Sequence, residues 1–224
     1  MESGCASYSV FVNKLLEWWS KNQKKYPWRE EWARADPYRI LIAETMLQRT
    51  RAEQVVSVYM DFLREFPTVQ SLASAELERV EKYFRKLGIT YRSARLLETA
   101  RYIVEKAGGR IPRSREELLE IPGVGEYVAD AIRVFAFGEH ALAIDANVAR
   151  VAVRYFGLEI RGEARRDPQV RKVLAAVLEA VPRGRAAEFN WALIDFAASV
   201  CTSRNPECGK CPLRESCAYF KNRA

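Results

Sequence analysis

The chain has 224 residues, enough for one large domain or two small ones with a core of their own. Hydrophobic residues make up 49% and charged residues 29%, a balance ordinary for a soluble globular protein; no apolar run is long enough to cross a bilayer and the N-terminus lacks a secretory pattern, so a cytoplasmic chain with no membrane partner is expected. The net charge of +7 favours a polyanion as partner, because each phosphate neutralised by a cation releases condensed counterions, although mildly basic proteins that bind no anion are common.

In chain order the pattern is helical throughout, with almost no strand signal. Residues 8–24 carry Val12, Leu15, Leu16 and Trp19 at helical spacing, and Pro27 is expected to end that element. A second stop at Asp36-Pro37 precedes an apolar helix over 38–48, then one over 52–65 with Val55, Val56, Tyr59, Phe62 and Leu63 on one face. Further helices are predicted over 71–76, 76–87, 91–107, 114–120, 126–137, 146–156, 168–181 and 186–200, with glycines marking the breaks. The expected fold is all-α, of roughly ten helices. After Cys201 the composition turns to Cys, Arg, Asn, Pro and Gly, which reads as a loop wrapped around something.

Four of the five cysteines lie in that tail, as Cys201-x6-Cys208-x2-Cys211-x5-Cys217, while Cys5 stands apart and reads as an incidental thiol. A local cluster in a chain without a secretory signal points to metal ligation before disulfides. Spacing alone leaves zinc and an iron–sulfur cluster both open, since soft thiolates suit either. Upstream, Ile121-Pro122-Gly123-Val124-Gly125 sits between two predicted helices. Its glycines permit a close backbone approach, Val124 can plug the core, and the amides of Gly123, Gly125 and the next helix can converge on a phosphate. An ordinary tight turn is the alternative. Asp145 precedes a helix, where an N-cap is its plain role, with Tyr127 a candidate partner for a catalytic one. Glu44 lies within the apolar helix YRILIAETML; a carboxyl held there is poised as an acid, unless the position is a solvated edge.

Together these features resemble the endonuclease III and MutY superfamily of helix–hairpin–helix DNA glycosylases, and within it the archaeal mismatch-specific thymine/uracil glycosylases. The resemblance spans PWR at 27–29, DPYRILIAETMLQRT at 36–50, IPGVGEYVADAI at 121–132, AIDANVARV at 143–151 and the cysteine spacing. It implies two helical domains with the active-site cleft between them, one over 29–138 with the hairpin and one over 1–28 plus 139–224 with a C-terminal [4Fe–4S] cluster loop. It implies Cys201, Cys208, Cys211 and Cys217 as cluster ligands, and Asp145 as the catalytic aspartate. Tyr127 stands where bifunctional members carry the Schiff-base lysine; a phenol cannot form an imine, so a monofunctional hydrolase is expected. Arg49 departs from the usual MutY glutamine and favours thymine or uracil opposite G over the alternative, adenine opposite G or 8-oxoguanine; a non-catalytic DNA-binding protein is a further alternative. Gln48 and Arg49 are expected to fill the gap left by the extruded base, with loop 88–92 wedging from the other side. Glu44 is expected to assist the leaving base and Tyr127 to line its pocket. The expected partner is double-stranded DNA with a mismatched or deaminated base, bound by a nucleoid-associated monomer.

Overall fold

The computed structural model describes residues 2–222, with side chains from residue 7 onward. Cys5, expected to be an incidental thiol, lies outside the residues whose side chains are described. Among the described residues thirteen α-helices are present and no strand. None of these helices is long and apolar enough to cross a membrane. They fall into two compact units, one over 25–137 and one made of the residues up to 24 with those from 138 on.

Helix α1 (Glu2–Asn22) opens the chain and buries Phe11, Val12, Leu15, Leu16 and Trp19 along the stripe expected from their spacing. It stops at Asn22, before the proline predicted to end it, because the Asn22 amide turns back to donate to the Trp18 carbonyl at 2.7 Å. Pro27 instead opens a 3-10 turn over Pro27–Arg29.

The 25–137 unit then holds α2 (Glu31–Arg34), α3 (Pro37–Leu47), α4 (Ala52–Glu65), α5 (Val69–Ala73), α6 (Leu77–Lys86), α7 (Ser93–Lys106), α8 (Arg115–Glu120) and α9 (Glu126–Phe135). Helix α3 starts where Asp36 accepts from the Tyr38 N–H at 2.9 Å and Pro37 supplies the preset first turn. It packs on α4 and α9, while α7 packs on α5 and α6. Phe62, Phe66, Tyr83 and Phe84 form an edge-on aromatic cluster at the core. Trp28 is buried edge-on against Tyr59, 5.6 Å between ring centres. That contact assigns the PWR segment to this unit, so the division falls after residue 24 where the sequence suggested residue 28.

The other unit is completed by α10 (Ala146–Phe156), α11 (Pro168–Glu179), α12 (Ala186–Ser199) and α13 (Ala218–Lys221). Helix α12 packs on α1 and α10. Across the first of these contacts the Trp19 indole donates to the buried Asp195 carboxylate at 3.0 Å. The buried Asn190 amide accepts from the Ala143 N–H at 2.9 Å and donates to the Ala141 carbonyl at 3.0 Å and the Ala186 carbonyl at 2.8 Å. Leaving any one of these backbone groups unpaired would cost about 1–3 kcal/mol. The segment 141–143 is thereby fixed two residues ahead of Asp145.

Candidate active site

Helix α3 is apolar on most of its faces, and Glu44 lies in it at 5% exposure. The predicted edge position is therefore excluded: the carboxyl is buried. Burial pushes the neighbouring Tyr59 phenol up against the pull of Arg39, and the Asp36 and Glu44 carboxylates add to the rise. The Tyr59 hydroxyl donates to the Arg39 carbonyl at 3.0 Å and holds α4 to α3. At the end of α3 Gln48 is half-buried in extended backbone, and Arg49 is exposed with φ +66. A bulky residue in the left-handed region is uncommon and costs about 1 kcal/mol or more, so the shape of this turn is imposed by its surroundings.

The hairpin joins α8 to α9. Ser114 caps α8 by accepting from the Glu117 N–H at 3.1 Å. Arg115 and Arg133 both meet Asp130 at 3.0 Å, tying α8 to α9. Ile121 and Val124 are buried, and the Val124 N–H donates to the Ile121 carbonyl at 3.0 Å, so valine plugs the core as expected. Gly123 has φ +87, and a methyl group there would lie 2.8 Å from the Thr99 hydroxyl and 2.9 Å from Arg95 Cγ. Thr99 in turn lies within hydrogen-bonding distance of the Pro122 carbonyl, at 2.5 Å. Among the described residues the Gly123 and Gly125 N–H groups donate to no protein acceptor. Exposed amides beside a helix N-terminus suit an oxyanion such as phosphate. Tyr127 lies half-buried in the first turn of α9, the helix that packs on α3.

Asp145 belongs to the other unit and is the N-cap of α10, its plain expected role. Its Oδ1 accepts from the Val148 N–H at 2.7 Å and the Asn147 N–H at 2.9 Å, and its Oδ2 from the Asn147 side-chain amide at 2.7 Å. The cap does not compete with a chemical role: three donors fix the carboxylate's orientation while the group stays half-exposed. Arg150 donates to the Asn147 side-chain oxygen at 2.8 Å and also holds the carbonyls of Ala197 at 3.0 Å and Cys201 at 3.1 Å. Asn147, which holds the carboxylate, is thus itself held by a residue that also holds the start of the cysteine tail.

The tail leaves α12 at Cys201 and returns to α10. Arg154 donates to the carbonyls of Thr202 at 2.6 Å and Ser203 at 2.8 Å. Cys201, Cys208, Cys211 and Cys217 all line one largely apolar cavity together with Tyr155 and Leu213. Burial pushes the Cys211 thiol up to about 11 against a backbone hydrogen bond from Leu213, and the neighbouring cysteines add to the rise. Thiols serve as metal ligands in their thiolate form, and the bound cations compensate that charge. Among the described residues no three His, Cys, Asp or Glu side chains converge as ligands of one metal ion. Four soft thiolate ligands around one shared space suit a metal centre.

The sequence-predicted residues are therefore distributed between the units: Glu44, Gln48, Arg49, Gly123, Val124, Gly125 and Tyr127 in the 25–137 unit, Asp145 and the four cysteines in the other. Sequence reasoning missed Asn147 and Arg150, and named Arg92 only as the last residue of the loop 88–92. The first two had a signal in their spacing, since residues 147 and 150 lie three apart on one helix face beside Asp145.

Residues 42–179 match the HhH-GPD superfamily of base excision DNA repair proteins, and residues 201–217 match the iron–sulfur binding domain of endonuclease III. The chain is 38% identical over 213 residues to a thymine-DNA glycosylase of Aeropyrum pernix, covering 93% of each protein. It is 36% identical to a thymine/uracil-DNA glycosylase of Methanothermobacter thermautotrophicus, covering 95% of this chain and 94% of that one. The solved structure of a thermostable thymine-DNA glycosylase superposes with a TM-score of 0.86 at 33% identity, covering 97% of this chain and 98% of that one.

Proposed function

The chain belongs to the HhH-GPD superfamily of base excision DNA repair proteins, and we propose that it is a monofunctional DNA glycosylase that releases thymine or uracil mispaired with guanine. The observation that carries the chemistry is the Asp145 carboxylate, held by three N–H donors at the start of α10.

Duplex DNA is bound through phosphates on the Gly123 and Gly125 amides, and the target nucleotide is extruded. Extrusion costs a few kcal/mol, least at a mismatch, so a G·T or G·U pair is partly selected by its own instability. The glycosidic bond breaks through an oxocarbenium-like sugar. Asp145 stabilises that cation and orients or deprotonates the attacking water. Glu44 assists the departing base by protonation, directly or through a water. Tyr127 packs against the flipped nucleotide; with no amine it forms no imine, so the strand is not cut by β-elimination. Cys201, Cys208, Cys211 and Cys217 hold a [4Fe–4S] cluster, which orders the tail and takes no electron in a hydrolysis. The enzyme works as a monomer in the cytoplasm.

Asp145→Asn is expected to keep its affinity for a mismatched duplex while excision falls about a thousandfold, the scale of a lost acid–base group; near-normal turnover would remove Asp145 from the reaction. A panel of G·T, G·U, A·G and A·8-oxoguanine duplexes tests the substrate. Release of thymine and uracil only is expected, and release of adenine would overturn that choice. Tyr127→Lys supplies the missing amine, and borohydride trapping of a covalent DNA adduct would register it.

A further inference from the structure

Two turns of the 25–137 unit meet through one guanidinium. Arg92 ends the 3-10 turn Thr90–Arg92 before α7, and its Nη1 donates to Oε1 of Gln48, 44 residues earlier in the chain. Its Cζ lies 5.2 Å from the centre of the Tyr91 ring, which is 66% exposed. Its Nε is buried with no hydrogen-bond partner among the described residues. A buried orphan donor is costly, so the guanidinium is held in place by what its other nitrogens and its planar face contact.

The pairing fixes more than distance. Arginine carries donors and no acceptor, so the Gln48 atom that meets it is the carbonyl oxygen. The amide is thereby oriented: its oxygen is turned toward Arg92, and its NH2 group faces the other way as a donor. A free glutamine amide rotates to satisfy either a donor or an acceptor, and so discriminates between neither. Guanine and adenine differ at this level, guanine offering the O6 acceptor where adenine offers the N6 donor.

We propose that Arg92 is a positioning residue that sets the opposite-base preference, by turning the Gln48 NH2 toward the position where guanine carries the O6 acceptor and adenine the N6 donor. The proposal rests on the reading of this chain as a mismatch glycosylase whose Gln48 lies against the base left behind. The strained turn at Arg49 serves the same end, because it fixes the backbone from which the amide is presented. The cation–π contact to Tyr91 keeps the guanidinium plane from swinging away when Gln48 meets the duplex.

The test measures single-turnover uracil release from three duplexes, with uracil opposite guanine, opposite adenine and opposite an abasic site that offers no base edge to read. In Arg92→Met the guanine-to-adenine rate ratio is expected to fall about five- to tenfold, the discrimination carried by one donor–acceptor match. The guanine-to-abasic ratio should fall with it. Arg92→Lys, which keeps a donor for Oε1, is expected to restore at least half of the preference. Gln48→Glu keeps the partner for Arg92 but removes the presented NH2, and should lose the preference as fully as Arg92→Met. A ratio unchanged in Arg92→Met, or equal losses on all three duplexes, would overturn the proposal and leave Arg92 a merely structural residue. Failure of the parent enzyme to release uracil from any duplex would instead overturn the glycosylase reading beneath it.

Discussion

The hairpin at 121–125 and the cysteine tail at 201–217 are both irregular backbone attached to helices, and they are held by opposite means. The hairpin is self-sufficient: Val124 fills the core beneath it, its own backbone closes the turn, and Thr99 and Arg95 pack against Gly123. The tail has only Leu213 buried, and its carbonyls are gathered by Arg150 and Arg154 around four thiols that share one cavity. Packing builds the first, and charge built around a cluster builds the second.

The largest effect should come from removing the cluster by oxidation and chelation. Amide exchange protection is expected to fall about a hundredfold or more in 146–156 and 201–221 while α6 and α7 keep theirs, because metal binding energy there is folding energy. Equal loss in α6 and α7 would break the contrast. Arg154→Ala should follow, since it releases two carbonyls from a charged donor; a loss of about 3 kcal/mol in denaturant midpoint analysis is expected, with faster cluster loss. Gly123→Ala places a methyl group against Thr99 and Arg95 at a positive φ, and should cost about 1–3 kcal/mol and weaken duplex affinity without loosening the cluster.

The smallest effect sharpens the comparison from the packed side. Glu65 is held below its usual range by the Tyr83 hydroxyl, 2.5 Å away, and by Arg79, against burial. Its folded-state value is depressed, so its contribution is present at neutral pH and disappears as pH falls through that value. Glu65→Gln is expected to cost about 1 kcal/mol at neutral pH, with the two proteins converging in thermal stability below about pH 4. A gap that widened in acid would contradict the assignment.

The long helices were legible because their apolar spacing is periodic, and the 52–65 and 146–156 segments coincide with α4 and α10. The four-residue α2 and α13 were not, since one turn carries no period. At the site, Glu44 and Asp145 stood out as carboxyls in informative surroundings. Gln48 and the loop 88–92 stood out as well, but the bond between Gln48 and Arg92 did not, because its members are 44 residues apart. Such a bond is a property of two backbones meeting, and nothing in either local pattern encodes it.

The bond between Trp19 and Asp195 joins positions 176 residues apart. During synthesis α1 emerges well before α12, the helix that covers its apolar stripe. The whole 25–137 segment can condense while α1 waits, its Phe11, Leu15 and Trp19 open to water or to a chaperone. The nascent chain therefore holds a finished hairpin well before it holds a fixed Asp145, because the Asn190 that fixes the segment ahead of it is made 45 residues later.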